Sequence, residues 1–140
     1  MPQRTLGEIV RDQHPLLLGP EDTVAQACAA MHQRRVGAVL VADEERRLLG
    51  IFTGRDAVRL LAEGLDAKAT RIDAVMTRNP VTLGPRATAM EALQALHDGG
   101  FRHVPILADG RVAGIVSRYD FRAREHARMD DATGFLEVLR

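Results

Sequence analysis

Two helical stripes stand out along the chain. Val24, Ala27, Cys28 and Met31 fall on one helical face, and Ala89, Ala92, Leu93 and Leu96 do the same later. Thr23 and Thr88 precede these stripes and are good N-caps. Gly99-Gly100 is placed to stop the second helix. Each stripe is followed by a short, almost wholly apolar run, Gly37 to Val41 and His103 to Leu107. Such runs predict strands covered on both faces. Pro105 inside the second run points to an edge or a strand end. A polar turn then leads into a second strand, Leu48 to Phe52 or Val112 to Val116. Ahead of each helix lies a short first strand, Leu16-Leu17-Leu18 or Val81-Thr82-Leu83, ending at Gly-Pro. A last helix is expected to start at Thr53 and at Ser117, the second running through Phe121-Arg122-Ala123.

The pattern is therefore written twice. Pro15, Leu18, Gly19, Pro20 and Thr23 match Pro80, Leu83, Gly84, Pro85 and Thr88 at a constant offset of 65. Gly50-Ile51-Phe52-Thr53-Gly54-Arg55-Asp56 and Gly114-Ile115-Val116-Ser117-Arg118-Tyr119-Asp120 match at 64, because the first copy's turn is one residue longer. Each copy reads βαββα, spanning residues 5–62 and 71–126, with a linker at 63–70 and a C-terminal tail at 127–140. A unit this small buries too little apolar surface alone. The expected fold class is α+β, sandwich-like, with the two repeats packed sheet to sheet about a pseudo-twofold axis.

Composition narrows the function. Nineteen basic residues balance nineteen acidic ones, which argues against a nucleic-acid or anionic-membrane binder. No run approaches the roughly 20 apolar residues that span a bilayer. The start of the chain does not read as a signal peptide, and the single Cys28 fits a reducing compartment. A cytoplasmic protein is expected. His14, His32, His97 and His126 show no metal spacing, and Cys28 reads as a small apolar filler. No Ser-His-Asp or Cys-His set follows a known local pattern, and motifs duplicated in both copies suit regulation better than catalysis. The chain is expected not to be an enzyme and to need no cofactor.

The ordered set of Val75-Met76-Thr77-Arg78-Asn79-Pro80-Val81-Thr82-Leu83, Phe101-Arg102-His103-Val104-Pro105-Ile106 and Gly114 to Asp120, with its weaker first copy, resembles the cystathionine-β-synthase (CBS) domain pair, or Bateman module. The resemblance covers residues 5–126. It implies a stand-alone sensor that binds an adenosyl ligand in crevices between the copies and signals occupancy to a separate, regulated partner protein. The ligand class includes AMP, ADP, ATP, S-adenosylmethionine or a dinucleotide. The resemblance also implies a homodimer with its four copies in a flat disc. Val58, Leu61 and Phe121 are expected on its apolar faces, with Phe135, Leu136, Val138 and Leu139 of the tail nearby.

The residues support that chemistry. A carboxylate accepts two hydrogen bonds from a ribose diol, and Asp56 and Asp120 are placed for this. Thr53 and Ser117 stand at helix starts, where amides favour an anion. Val36, Val81, Thr82, Ile51 and Ile115 are candidates to line adenine slots. The same hydroxyl–Asp spacing is also a capping box, which stabilises a helix start with no ligand. Arg102-His103 offers cations for phosphate, or else a surface Arg and a backbone-satisfied His. In the resembled family a crevice joins one copy's hydroxyl and Asp to the other copy's first strand. That would set Thr53 and Asp56 with Val81, Thr82, Arg102 and His103, and Ser117 and Asp120 with Leu16, Leu17, Val36 and Gly37. On this grouping the first crevice is expected to bind phosphorylated ligands more tightly. The competing function is a ligand-free interaction or dimerisation module.

Overall fold

A computed structural model describes residues 4–99, 101–122 and 125–128. The fold class is α+β, built from two compact units. Of the described residues, one unit holds 14–81 and 107–112; the other holds those up to 13, then 82–106 and from 113 on. Among the described residues no helix is long and apolar enough to cross a membrane. The tail from residue 129 on, Gly100 and Ala123 lie outside the described residues.

In the first-repeat unit a four-stranded sheet runs in the order β1 (Leu17–Leu18), β2 (Ala38–Ala42), β3 (Leu48–Thr53), β4 (Thr77–Arg78). β1 is parallel to β2, and the other pairs are antiparallel. All five residues of β2 are buried, as its unbroken apolar run requires. Helix α2 (Val24–Arg34) follows β1 and α3 (Gly54–Ala62) follows β3. Thr23 caps α2 through a reciprocal pair: the Gln26 amide donates to its hydroxyl at 3.1 Å, and its own amide donates to the Gln26 side chain at 2.7 Å. Val24, Ala27 and Met31 then pack against Val39, Val41 and Phe52, with Cys28 at the margin of the cluster.

The second-repeat unit carries α1 (Leu6–Val10), α4 (Ala89–Gly99) and the open end of the hairpin β5 (His103–Ala108) and β6 (Arg111–Ser117), whose tip, residues 107–112, is counted with the first unit. The hairpin turns at Asp109 and Gly110, both at positive φ (52° and 79°), the geometry that lets two residues reverse a twisted ribbon. Ala89, Ala92, Leu93 and Leu96 all enter the core, with Val104, Ile106 and Val116.

Two expected elements differ. Residues 81–83 form no strand; Leu83 makes a single parallel bridge to Ile106. The cause is Pro105. In the first repeat the Leu40 amide donates to the Leu16 carbonyl at 3.0 Å, and Pro105 holds the matched position with no N–H to give. The last helix of the second repeat is also broken. A 3-10 turn at Arg118–Asp120 ends in Phe121, which is extended (φ −104°, ψ 149°) and buried in the core. Phe121 is therefore not part of an exposed apolar face. Helix resumes at 125–128, where the Glu125 and His126 amides donate to the Arg122 carbonyl.

The repeats exchange their leading segments. Residues 4–7 dock on the second repeat: the Ala89 amide donates to the Arg4 carbonyl, Leu6 to Ala87 and Gly7 to Pro85, with Thr5 bridged to Thr88. Residues 70–73 dock on the first repeat in the matching way: Val24 donates to Thr70, Ile72 to Asp22 and Asp73 to Pro20, with Arg71 bridged to Thr23. Leu6 and Ile72, both fully buried, are the anchors.

Candidate functional site

The hydroxyl–Asp turns form where a buried strand ends and the chain must start a helix. In the first-repeat unit, β3 ends at Thr53, whose backbone is paired with Ala38 at the start of β2. The Thr53 amide donates to Asp56 Oδ2 at 2.9 Å, and the Asp56 amide donates to Thr53 Oγ1 at 3.2 Å. The other Asp56 oxygen, Oδ1, lies 3.7 Å from the Arg59 guanidinium. The Gly54 amide is occupied by the Gly37 carbonyl at 3.0 Å. Because β1 is parallel to β2, Leu16, Leu17 and Gly37 mark the same end of the sheet as Thr53. Val36, 40% exposed, lines an open cleft of about 440 Å³ with Cys28, Met31, His32, Arg35, Gly54 and Ala57.

The second-repeat unit repeats the construction with changes. The Ser117 amide donates to Asp120 Oδ2 at 2.6 Å, the Ser117 hydroxyl reaches the same oxygen at 3.3 Å, and the Tyr119 amide donates to Ser117 Oγ at 3.3 Å. Both hydroxyls thus cap, as the spacing predicts. β5 opens at His103 and its partner β6 closes at Ser117, so the hairpin brings His103 to the Ser117–Asp120 end. His103 Nδ1 is buried and has no hydrogen-bond partner among the described residues. Burial pushes the His103 imidazole below its ordinary value; the Asp120 carboxylate opposes this and the Arg102 charge adds to it. Arg102 is exposed, Thr82 half-buried and Val81 46% exposed. Ile115 is half-buried, and the Gln13 side chain occupies its backbone, accepting from the amide at 2.9 Å and donating to the carbonyl at 2.8 Å.

By unit, Thr82, Arg102 and His103 fall with Ser117 and Asp120, and Leu16, Leu17, Val36, Gly37 and Val81 fall with Thr53 and Asp56. Three residues not singled out from the sequence also bear on the second turn. Arg4 donates to the Asp120 carbonyl at 3.2 Å and to the Glu125 carboxylate through Nε at 3.1 Å. Gln13 holds Ile115. Arg4 and Glu125 are 121 positions apart, so no spacing signals them. Burial raises the Cys28 thiol, consistent with a filler rather than a nucleophile. Among the described residues no group of three or more His, Cys, Asp or Glu is arranged to hold a metal.

Comparison with known proteins places these turns in a family. A family model described as the CBS domain matches residues 6–63 and again 72–126, and the chain belongs to the CBS-domain family as a tandem pair. The CBS domain-containing protein CBSCBSPB2 of Arabidopsis thaliana is 40% identical over 115 residues, 81% of this chain and 21% of that protein. The chain thus spans about a fifth of that relative's length. Two solved structures share the fold. CBS domain protein PAE2072 from Pyrobaculum aerophilum, complexed with AMP, has a TM-score of 0.82 at 19% identity, covering 91% of this chain and 98% of that one. The CBS domain pair of MJ0100, in complex with 5′-methylthioadenosine and S-adenosyl-L-methionine, has a TM-score of 0.75 at 21% identity, covering 94% and 99%.

Proposed function

We propose that this CBS pair is a regulatory adenosyl sensor of the AMP or S-adenosylmethionine type, cytoplasmic, homodimeric, and acting on a separate partner protein. One observation carries the reading most. A hydroxyl–carboxylate turn closes each unit's strand end, and at the same end of the hairpin as one of them the His103 Nδ1 is buried with no hydrogen-bond partner among the described residues. A buried polar atom without a partner costs about 1–3 kcal/mol, and a ligand that bonds to it recovers that. Asp56 and Asp120 are the proposed ribose acceptors, with Thr53 and Ser117 at the phosphate side. Val36, Val81, Thr82 and Ile115 are the proposed base-lining residues. The adenosyl ligands in the PAE2072 and MJ0100 structures support this choice of ligand.

We propose a ranking of the two turns that departs from the sequence expectation. Arg102 and His103 accompany Ser117 and Asp120, so this turn is the better one for a phosphorylated ligand. A hydrogen bond to a charged group contributes about 1.5–3 kcal/mol, roughly ten- to a hundredfold in affinity. Calorimetry with AMP on the wild type, Asp56→Ala, Asp120→Ala and Arg102→Ala tests it. The expected result is loss of the tighter site in Asp120→Ala and Arg102→Ala. Loss of that site in Asp56→Ala with retention in Asp120→Ala overturns the ranking. Absence of any adenosyl binding at millimolar concentration overturns the sensor. The second reading, a ligand-free interaction module, would then stand on the exposed Val58 (69%) and Leu61 (76%) of α3.

A further inference from the structure

The two hydroxyl–Asp turns are supported in different ways. Asp56 lies in the first turn of a nine-residue helix, whose own ladder engages its backbone carbonyl. Asp120 ends a three-residue 3-10 turn, and the extended Phe121 cuts off any continuing ladder. Its carbonyl would be left without a helical donor. The donor comes instead from Arg4, 116 positions earlier in the chain. The same guanidinium engages both oxygens of Glu125, a side chain 8% exposed, and Glu125 Oε1 accepts the Arg122 amide at 2.7 Å. The fork therefore reaches the backbone on both sides of Phe121, directly at the Asp120 carbonyl and through Glu125 at the Arg122 amide. His126 Nε2 completes the arrangement at the Arg118 carbonyl, at 2.8 Å. In the first repeat the residue aligned with Arg4 in the exchanged segments is Thr70, whose hydroxyl donates locally to the Asp66 carbonyl.

We propose that Arg4 is a positioning residue for the Ser117–Asp120 turn: through the Asp120 carbonyl and Glu125 it sets the direction in which the Asp120 carboxylate is presented. Its effect on ligand affinity rests on the sensor reading above; its effect on the turn does not. A planar fork matches a carbonyl and a carboxylate together, which an ammonium does not. Arg4→Lys should therefore restore the turn only in part.

The test uses the full chain with Arg4→Ala, Arg4→Lys and Glu125→Gln, the last keeping the side-chain volume and an acceptor for the Arg122 amide. Amide hydrogen exchange is read at Ser117, which donates to Asp120, against Thr53, which donates to Asp56. Exchange at Ser117 should quicken by about tenfold in Arg4→Ala while Thr53 holds, a change on the scale of one lost hydrogen bond to a charged group. Equal quickening at both amides marks general destabilisation and overturns the proposal. Calorimetry with AMP on Arg4→Ala, Asp120→Ala and the double variant supplies the second arm. A double variant no weaker than Asp120→Ala supports action through Asp120, and an additive loss overturns it. If the wild type binds no AMP, the sensor reading falls and the exchange arm still decides the role of Arg4.

Discussion

A Cβ placed on Gly114 would fall 2.5 Å from the Cβ of Val10 and 2.8 Å from Gln13 Oε1. The glycine that opens the second repeated motif is thus a docking surface for the exchanged N-terminal segment. Gly50, its counterpart, does the same work: a Cβ there would meet Met76 Sδ at 2.6 Å and the Thr77 carbonyl oxygen at 2.7 Å. The glycine belongs to the packing of the segment and the hydroxyl and Asp to the turn, so one short motif serves two purposes.

Gly50→Ala and Gly114→Ala should each destabilise the protein by about 1–3 kcal/mol through overpacking. Gly19→Ala is the control, since its Cβ would meet nothing nearer than 3.8 Å. Urea unfolding of the three variants gives the comparison. Wild-type stability in Gly114→Ala would contradict the close packing of the segment.

Acid should reach the Arg4–Glu125 pair. The hydrogen bond from Arg4 holds the Glu125 carboxyl below its ordinary value of 4.5. A depressed folded-state value means this contribution is complete above the unfolded value and lost as pH falls through the folded one. Glu125→Gln should therefore be less stable than wild type at pH 7, by about 1.5–3 kcal/mol for a charge-assisted bond. The gap should close progressively below about pH 4.5. Melting curves from pH 7 to pH 3 measure it, and a gap independent of pH would refute the pairing.

His103 titrates with the same sense of pH dependence for a different reason. Burial lowers its folded-state value from 6.5, so the unfolded chain takes up the proton first as pH falls. Stability is complete above about 6.5 and declines below it until the folded imidazole itself protonates. His103→Gln should flatten the melting temperature between pH 7.5 and 5.5, apart from changes shared with other groups. A phosphate beside His103 would raise its value, so AMP binding near pH 6.5 should take up protons. Calorimetry in buffers of different ionisation heats reads this uptake, and its absence would place the phosphate elsewhere.

Leu61→Arg tests the assembly. Leu61 and Val58 are the most exposed aliphatic side chains of α3, and the proposed homodimer would bury them. Light scattering at about ten micromolar, where a stable interface is saturated, should show the wild type as a dimer and the variant as a monomer. A monomeric wild type removes the dimer from the proposal.

The two long helices and the central strand pairs were legible because the chain states them twice and their apolar periods are clean; the strand expected at 81–83 does not form, and β4 was not read. Thr53 and Ser117 announced their caps through the i, i+3 Asp, and Thr23 and Thr88 through residue type alone. Helix α1 was not legible: five residues are too few to display a period, and Leu6 is buried by tertiary docking rather than by helical propensity. The break at Phe121 was hidden because nothing local ends the helix; burial of the aromatic ring wins over a further turn. The grouping of His103 with Asp120 could have been counted from the hairpin, whose two-residue turn sets which ends meet. The Arg4 fork could not, since only the folded chain brings it to Asp120.

The exchange of leading segments also orders events during synthesis. Residues 4–13 are made well before their partners at Pro85, Ala87, Thr88 and Ile115. The second-repeat core must wait for both ends of its own sequence, a non-local closure of the kind that slows folding. Until then Leu6 and Val10 stay uncovered, and a nascent chain stalled near residue 80 would display them to chaperones and to neighbouring chains.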